Sequence, residues 1–333
     1  MKLYSIIGVI ACSAVISLWL REDVSSKING VSLVAPRYEV IPEYFDPVVE
    51  INANAVAVIP YGFSPGNSEL YFDHPRQWKG EKKEGICQQV SLAKSKGLKV
   101  MIKPHIWVRG QGWAGDFELS DENEWAEWES NYRNYIITYA RIADSLSVDL
   151  YCIGTELRRV VVNRPEFWPK LIREVREVYS GRITYAANWD NYQNVSFWDQ
   201  MDYIGVDAYF PLSQVENPSL EEIKSGWNTH KEGLKGISRL YDKPILFTEF
   251  GYQSAKGAAG NHWEVDKDDV DLNVQKGCYQ VLFETFWDAS WFAGGFFWKW
   301  HFKNDRGGEN DPNFTPQGKP STDVIRYWYS KTQ

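Results

Sequence analysis

Short apolar runs rich in β-branched and aromatic residues recur along the chain, separated by longer stretches with helical spacing. Eight of them stand out, at 28–34, 54–60, 98–105, 148–156, 183–188, 202–209, 244–251 and 294–300. Near-continuous apolar character, rather than strict alternation, is what a parallel strand buried on both faces requires. Between the runs, Trp125, Trp128, Tyr132, Tyr135, Tyr139 and Ile142 follow one another at helical spacing. Asp121 and Glu124, ahead of them, have the separation of a capping box. Ser219 and Glu222 repeat that signature before a helix that runs toward Asp242 and must stop ahead of Pro244. Trp168, Leu171, Ile172, Val175 and Val178 mark a helix over 165–179 that ends at Ser180-Gly181. Val270, Val274, Val281 and Leu282 mark the next, and 320–331 read as a closing helix. Eight strands alternating with helices predict an α/β fold, a single-domain (β/α)8 TIM barrel over residues 25–333. An open doubly wound sheet is the competing architecture, but no Gly-rich phosphate loop follows the first strand.

The start of the chain differs in kind. From Leu3 to Leu20 there are 18 residues without a charge, bounded by Lys2 and by Arg21-Glu22-Asp23. Residues 1–24 are therefore expected to be a signal peptide or a membrane or lipoprotein anchor. Val9-Ile10-Ala11-Cys12 has the look of a lipoprotein processing box, which would lipidate Cys12. The residues after Cys12 stay apolar, as an uncleaved anchor would. Both readings place the protein outside the cytoplasm, at the cell surface, in the periplasm or anchored, with a membrane contact only through this segment.

Composition narrows the function. The chain carries a formal net charge of −8 without a basic stripe, which excludes nucleic acid as a partner. It holds 16 Trp, 19 Tyr and 16 Phe against 3 Met, and flat rings with polar edges suit the faces of sugars. The His and Cys residues lack metal-ligand spacing, so no metal or cofactor is expected. Cys12, Cys87, Cys152 and Cys278 read as free thiols. A monomer is expected.

In a barrel, catalytic groups sit at the C-terminal strand ends. The fourth strand ends Ile153-Gly154-Thr155-Glu156 and the seventh ends Phe247-Thr248-Glu249-Phe250-Gly251, so one rim receives two Glu. A carboxylate closing an apolar run is costly to bury unless paired or employed. Other strands end in Lys103-Pro104-His105, Asn188-Trp189, Asp207-Ala208-Tyr209 and Trp298-Lys299-Trp300. Packing alone does not call for so many polar and aromatic ends on one rim. Singly, each has an ordinary explanation: Lys103 as a partner for a Glu, His105 as a satisfied structural histidine, Trp298 and Trp300 as core. Asp207 is read as structural.

These segments, with Asp202 to Tyr209, resemble glycoside hydrolases of clan A, and more narrowly glycoside hydrolase family 113, a family of β-1,4-mannanases. The resemblance spans about residues 28–330. It implies a retaining hydrolase of a neutral β-linked polysaccharide or oligosaccharide, with Glu156 as acid/base and Glu249 as nucleophile. Many clan members carry Asn before the acid/base. Here Thr155 stands there, as in family 113, and Asn188 becomes the candidate for the sugar 2-hydroxyl. Tyr209 is expected to hydrogen-bond Glu249, and Trp298 to stack under the sugar at the cleavage point. Lys103, His105, Trp107 and Trp189 complete the expected binding residues, and Trp113 and Trp263 are candidates for further subsites. A β-glucanase, xylanase or exo-β-glycosidase of the same clan, or a barrel that binds carbohydrate without cleaving it, are the alternatives.

Overall fold

The computed structural model describes residues 27–331 apart from 111, 262, 266, 267 and 304. The expected N-terminal anchor and Cys12 lie outside the described residues. Eight parallel strands close into a barrel: Ile28–Leu33, Ala55–Val58, Lys99–Ile102, Leu150–Thr155, Arg182–Asn188, Ile204–Asp207, Ile245–Phe250 and Phe292–Trp300. The first strand pairs with both the second and the eighth, so the sheet has no edge. Burial on both faces explains the continuous apolar runs. One face supplies Ala55, Ala57, Met101, Leu150, Cys152, Ala186, Leu246 and Phe296 to a compact inner cluster. The other packs against the surrounding helices.

The helices begin where their caps place them. Asp121 accepts from the backbone N–H groups of Asn123 (2.7 Å) and Glu124 (3.2 Å), opening helix Glu122–Ser145. Trp125, Trp128, Tyr132, Tyr135 and Tyr139 lie buried along it. Ser219 and Glu222 form the reciprocal box at the head of helix Leu220–Tyr241. Helices Phe167–Val178 and Ser321–Ser330 occupy the remaining expected places. Helix Leu272–Phe286 starts later than expected, because Asp271 caps it while Val270 is held in a bridge to Ala255. Among the described residues, no helix is long and apolar enough to cross a membrane. Cys152 and Cys278 are buried free thiols, and Cys87 is half-buried.

The third strand differs from its expectation. It leaves the barrel after Ile102, and His105–Val108 forms a separate rim strand paired with Tyr61–Ser64. The partners keep their register across the break, Val58 opposite Ile102 and Tyr61 opposite His105. Pro60 and Pro104 occupy equivalent positions between the two ladders, and neither has an N–H to continue them. The strand pair therefore peels away from the barrel and carries His105 and Trp107 onto the rim.

Candidate active site

The rim that carries Glu156 and Glu249 is built where the strand ladders become irregular. Register shifts fall between Cys152 and Thr155 on the fourth strand, between Val206 and Asp207 on the sixth, and at the end of the first where it meets the eighth. Such bulges re-aim side chains. At the end of the seventh strand, successive residues Thr248 and Glu249 both reach the same buried cluster, which regular alternation would forbid. Glu156 leaves its strand with φ of 54°, a conformation that costs a non-glycine residue energy and that surrounding bonds must hold. Its N–H donates to Ala186 O at 2.8 Å, and the Leu157 N–H donates to the Tyr185 hydroxyl at 2.8 Å. Gly154 has a packing reason: a Cβ there would come within 2.5 Å of the Tyr132 hydroxyl.

Lys103 organises the floor. Its Nζ lies 2.9 Å from Asp207 Oδ1 and 2.7 Å from Glu249 Oε1, with all three side chains buried or nearly so. The Thr248 hydroxyl donates to Asp207 Oδ1 at 2.7 Å, and the Tyr209 hydroxyl to Glu249 Oε2 at 2.6 Å. His105 Nε2 is 3.4 Å from Glu249 Oε1, and its ring lies parallel to that of Trp298 with centroids 6.1 Å apart. Tyr61 packs edge-on against His105.

The two Glu experience opposite fields. Burial alone pushes the Glu249 carboxyl up, but the Lys103 charge and its bonds outweigh that and hold it down to about 2. Glu156 is pushed up to about 8 by burial and then by the charges of Asp207 and Glu249, with the indole N–H of Trp113 opposing. Burial also raises Asp207, to about 7, against the pull of Lys103. The His105 imidazole is lowered by burial, which keeps it neutral at pH 7.

The family profile for Glycoside Hydrolase Family 113 matches residues 48–319. The chain belongs to that family. A structure of a family 113 β-1,4-mannanase is 26% identical with a TM-score of 0.80, covering 92% of this chain and 99% of that one. A family 113 β-mannanase from Alicyclobacillus acidocaldarius superposes with a TM-score of 0.81 at 24% identity, covering 92% of this chain and 98% of its own. A β-glucuronidase from Faecalibacterium prausnitzii shares the fold at 14% identity, with a TM-score of 0.62 over 92% of this chain and 49% of that one. No curated protein matches the chain.

As a member of a glycoside hydrolase family, the protein is a glycoside hydrolase, and its expected site residues fall into two groups. Lys103, His105, Asp207, Tyr209 and Glu249 come together around one carboxylate. Asp207 pairs with Lys103. Trp298 is half-buried, Trp107 is 60% exposed and Trp263 is 57% exposed, while Trp189 packs on Phe210 at 5.8 Å. Asn188 donates to Asp190 at 2.7 Å. Trp113, a candidate for a further subsite, lies beside the acid/base candidate, and its Nε1 donates to Glu156 Oε2 at 2.6 Å. Tyr61 and Thr248 escaped the sequence reading. The matched prolines at 60 and 104 were a signal for Tyr61, because they place it opposite His105.

Proposed function

We propose that the protein cleaves β-1,4-mannosidic bonds in mannan or manno-oligosaccharides by double displacement. The supporting observation is the division of labour between the Glu residues. Glu249, held ionised by Lys103 and Tyr209, attacks the anomeric carbon. Glu156, kept protonated near neutral pH, gives its proton to the departing oxygen. The leaving sugar departs and a glycosyl ester forms on Glu249. Glu156 then takes a proton from water as the water oxygen bonds to the anomeric carbon and the ester breaks. Trp298, stacked on His105, offers a platform beneath the sugar, with Trp107 and Trp189 further along and Asn188 near the 2-hydroxyl. The mannose preference rests on the family and on the β-mannanases it resembles. The N-terminal segment 1–24 exports or tethers the enzyme, which acts as a monomer.

The test is incubation with mannohexaose and cellohexaose, following product size and anomeric configuration. Mannohexaose should give shorter products with the β configuration first, and cellohexaose should react far more slowly. A site built to hydrogen-bond one hydroxyl leaves polar groups unpaired with its epimer. A 2-deoxy-2-fluoro-mannosyl fluoride should label Glu249. Equal cleavage of cellohexaose would remove the mannan preference, and α-configured first products would remove double displacement. Fractionation of the full-length chain and fatty-acid labelling at Cys12 test the location.

A further inference from the structure

Trp113 is braced by its neighbours as well as bonded to Glu156. The Arg158 guanidinium carbon lies 4.9 Å over the indole ring. The same guanidinium bonds Asp116 through Nη2 (2.6 Å) and Nε (3.2 Å), and Asp190 through Nη1 (2.8 Å). Arg158 thus ties the segment carrying Trp113 to the one following the fifth strand. Gly115 also packs against the ring, and a Cβ there would come within 2.4 Å of the ring carbons. Held in this way, the indole aims its single polar atom at Glu156 Oε2, 2.6 Å away.

We infer that Trp113 is a positioning residue that gives the two oxygens of Glu156 different tasks, keeping Oε2 as an acceptor so that Oε1 carries and recovers the proton. An indole N–H can only donate, so the oxygen facing it is favoured as the carbonyl-like one. In the first half-reaction the Oε1–H bond breaks and the proton goes to the departing glycosidic oxygen. In the second, a water O–H bond breaks and its proton returns to Oε1. The inference rests on the acid/base reading of Glu156. The N–H also stabilises the charged carboxylate, so it restrains the rise that burial and the neighbouring carboxylates impose.

Replacing Trp113 by benzothienylalanine, which has the same shape with sulfur in place of N–H, removes the donor alone. Trp113→Phe provides a genetically simpler second variant. In both, the Glu156 carboxyl midpoint, read by carbon-13 NMR of the labelled side chain, should move up by about one pH unit. The basic limb of kcat/KM should move up with it. Below the Glu156 midpoint of the glycosyl-enzyme, its hydrolysis should slow by up to about 10-fold, because less Glu156 is available as base, and the intermediate should accumulate on a dinitrophenyl mannoside. Activity lost with the carboxyl midpoint and both pH limbs unmoved would mean that Trp113 only supports the fold locally, and would overturn the inference. Failure of Glu249 to be labelled by the fluoro-sugar would instead sink double displacement, while the carboxyl titration would still report the indole's grip on Glu156.

Discussion

Lys103 Nζ lies 2.7 Å from Glu249 Oε1, at the centre of a buried cluster that also holds Asp207. An ammonium with no exposed surface is tolerated because two carboxylates surround it, and they raise its pKa although burial acts to lower it. Glu249 gains a fixed counter-charge, and with it the ionised state that its proposed role as nucleophile needs.

Lys103→Met should therefore remove more than packing. One partner of a buried ionic cluster is lost, which costs about 3–5 kcal/mol of stability in urea unfolding. Glu249 loses its main stabilising charge, so its carboxyl titrates higher and the acid limb of kcat/KM should move to higher pH than in the parent. Activity that survived with an unmoved acid limb would contradict this account of Glu249.

Tyr209→Phe deletes a 2.6 Å bond to Glu249 Oε2 and little else of the ring. A hydrogen bond to a charged group contributes about 1.5–3 kcal/mol, so kcat should fall about 10- to 100-fold. KM for manno-oligosaccharides should change little. A rise in KM at unchanged kcat would assign Tyr209 to substrate binding instead.

Asp207→Asn should move the basic limb in the direction opposite to the Trp113 variants. After burial, the Asp207 charge is the largest cause that raises Glu156. Without it Glu156 releases its proton more readily, and the basic limb of kcat/KM should lie at lower pH than in the parent. The pH profile of the variant, compared with the parent, measures this.

Stability should carry the same signature. The Glu156 pKa is about 8 in the folded chain against an ordinary value of 4.5, so between those pH values the folded state binds more protons than the unfolded state. Stability from this group is fully present below about 4.5 and is lost as pH rises through 8. Glu156→Gln removes the term, so the gap in Tm between variant and parent should widen in the variant's favour from pH 5 to pH 8. A constant gap would show that Glu156 is not strained toward its neutral form.

The architecture was legible in the sequence because a strand buried on both faces must be apolar throughout, and eight such runs survive any rearrangement of loops. Helix starts were legible where a side chain caps its own backbone, as at Asp121 and Ser219. The two Glu stood out because a carboxylate ending an apolar strand is costly without a task. Other features required the chain to close. Lys103 and Asp207 are 104 residues apart, and no local rule couples them. The bulge that lets Thr248 and Glu249 reach one cluster depends on how the sixth and seventh strands slip past each other. Trp113 stood in the sequence only as one of several candidate subsite residues, and only the packing of Arg158 and Gly115 against its ring turns its N–H toward Glu156. Residue types and periodicity determined the barrel and the two Glu residues on its rim. The electric field that separates the roles of that pair is a sum over distances, and those distances are fixed only when the barrel closes.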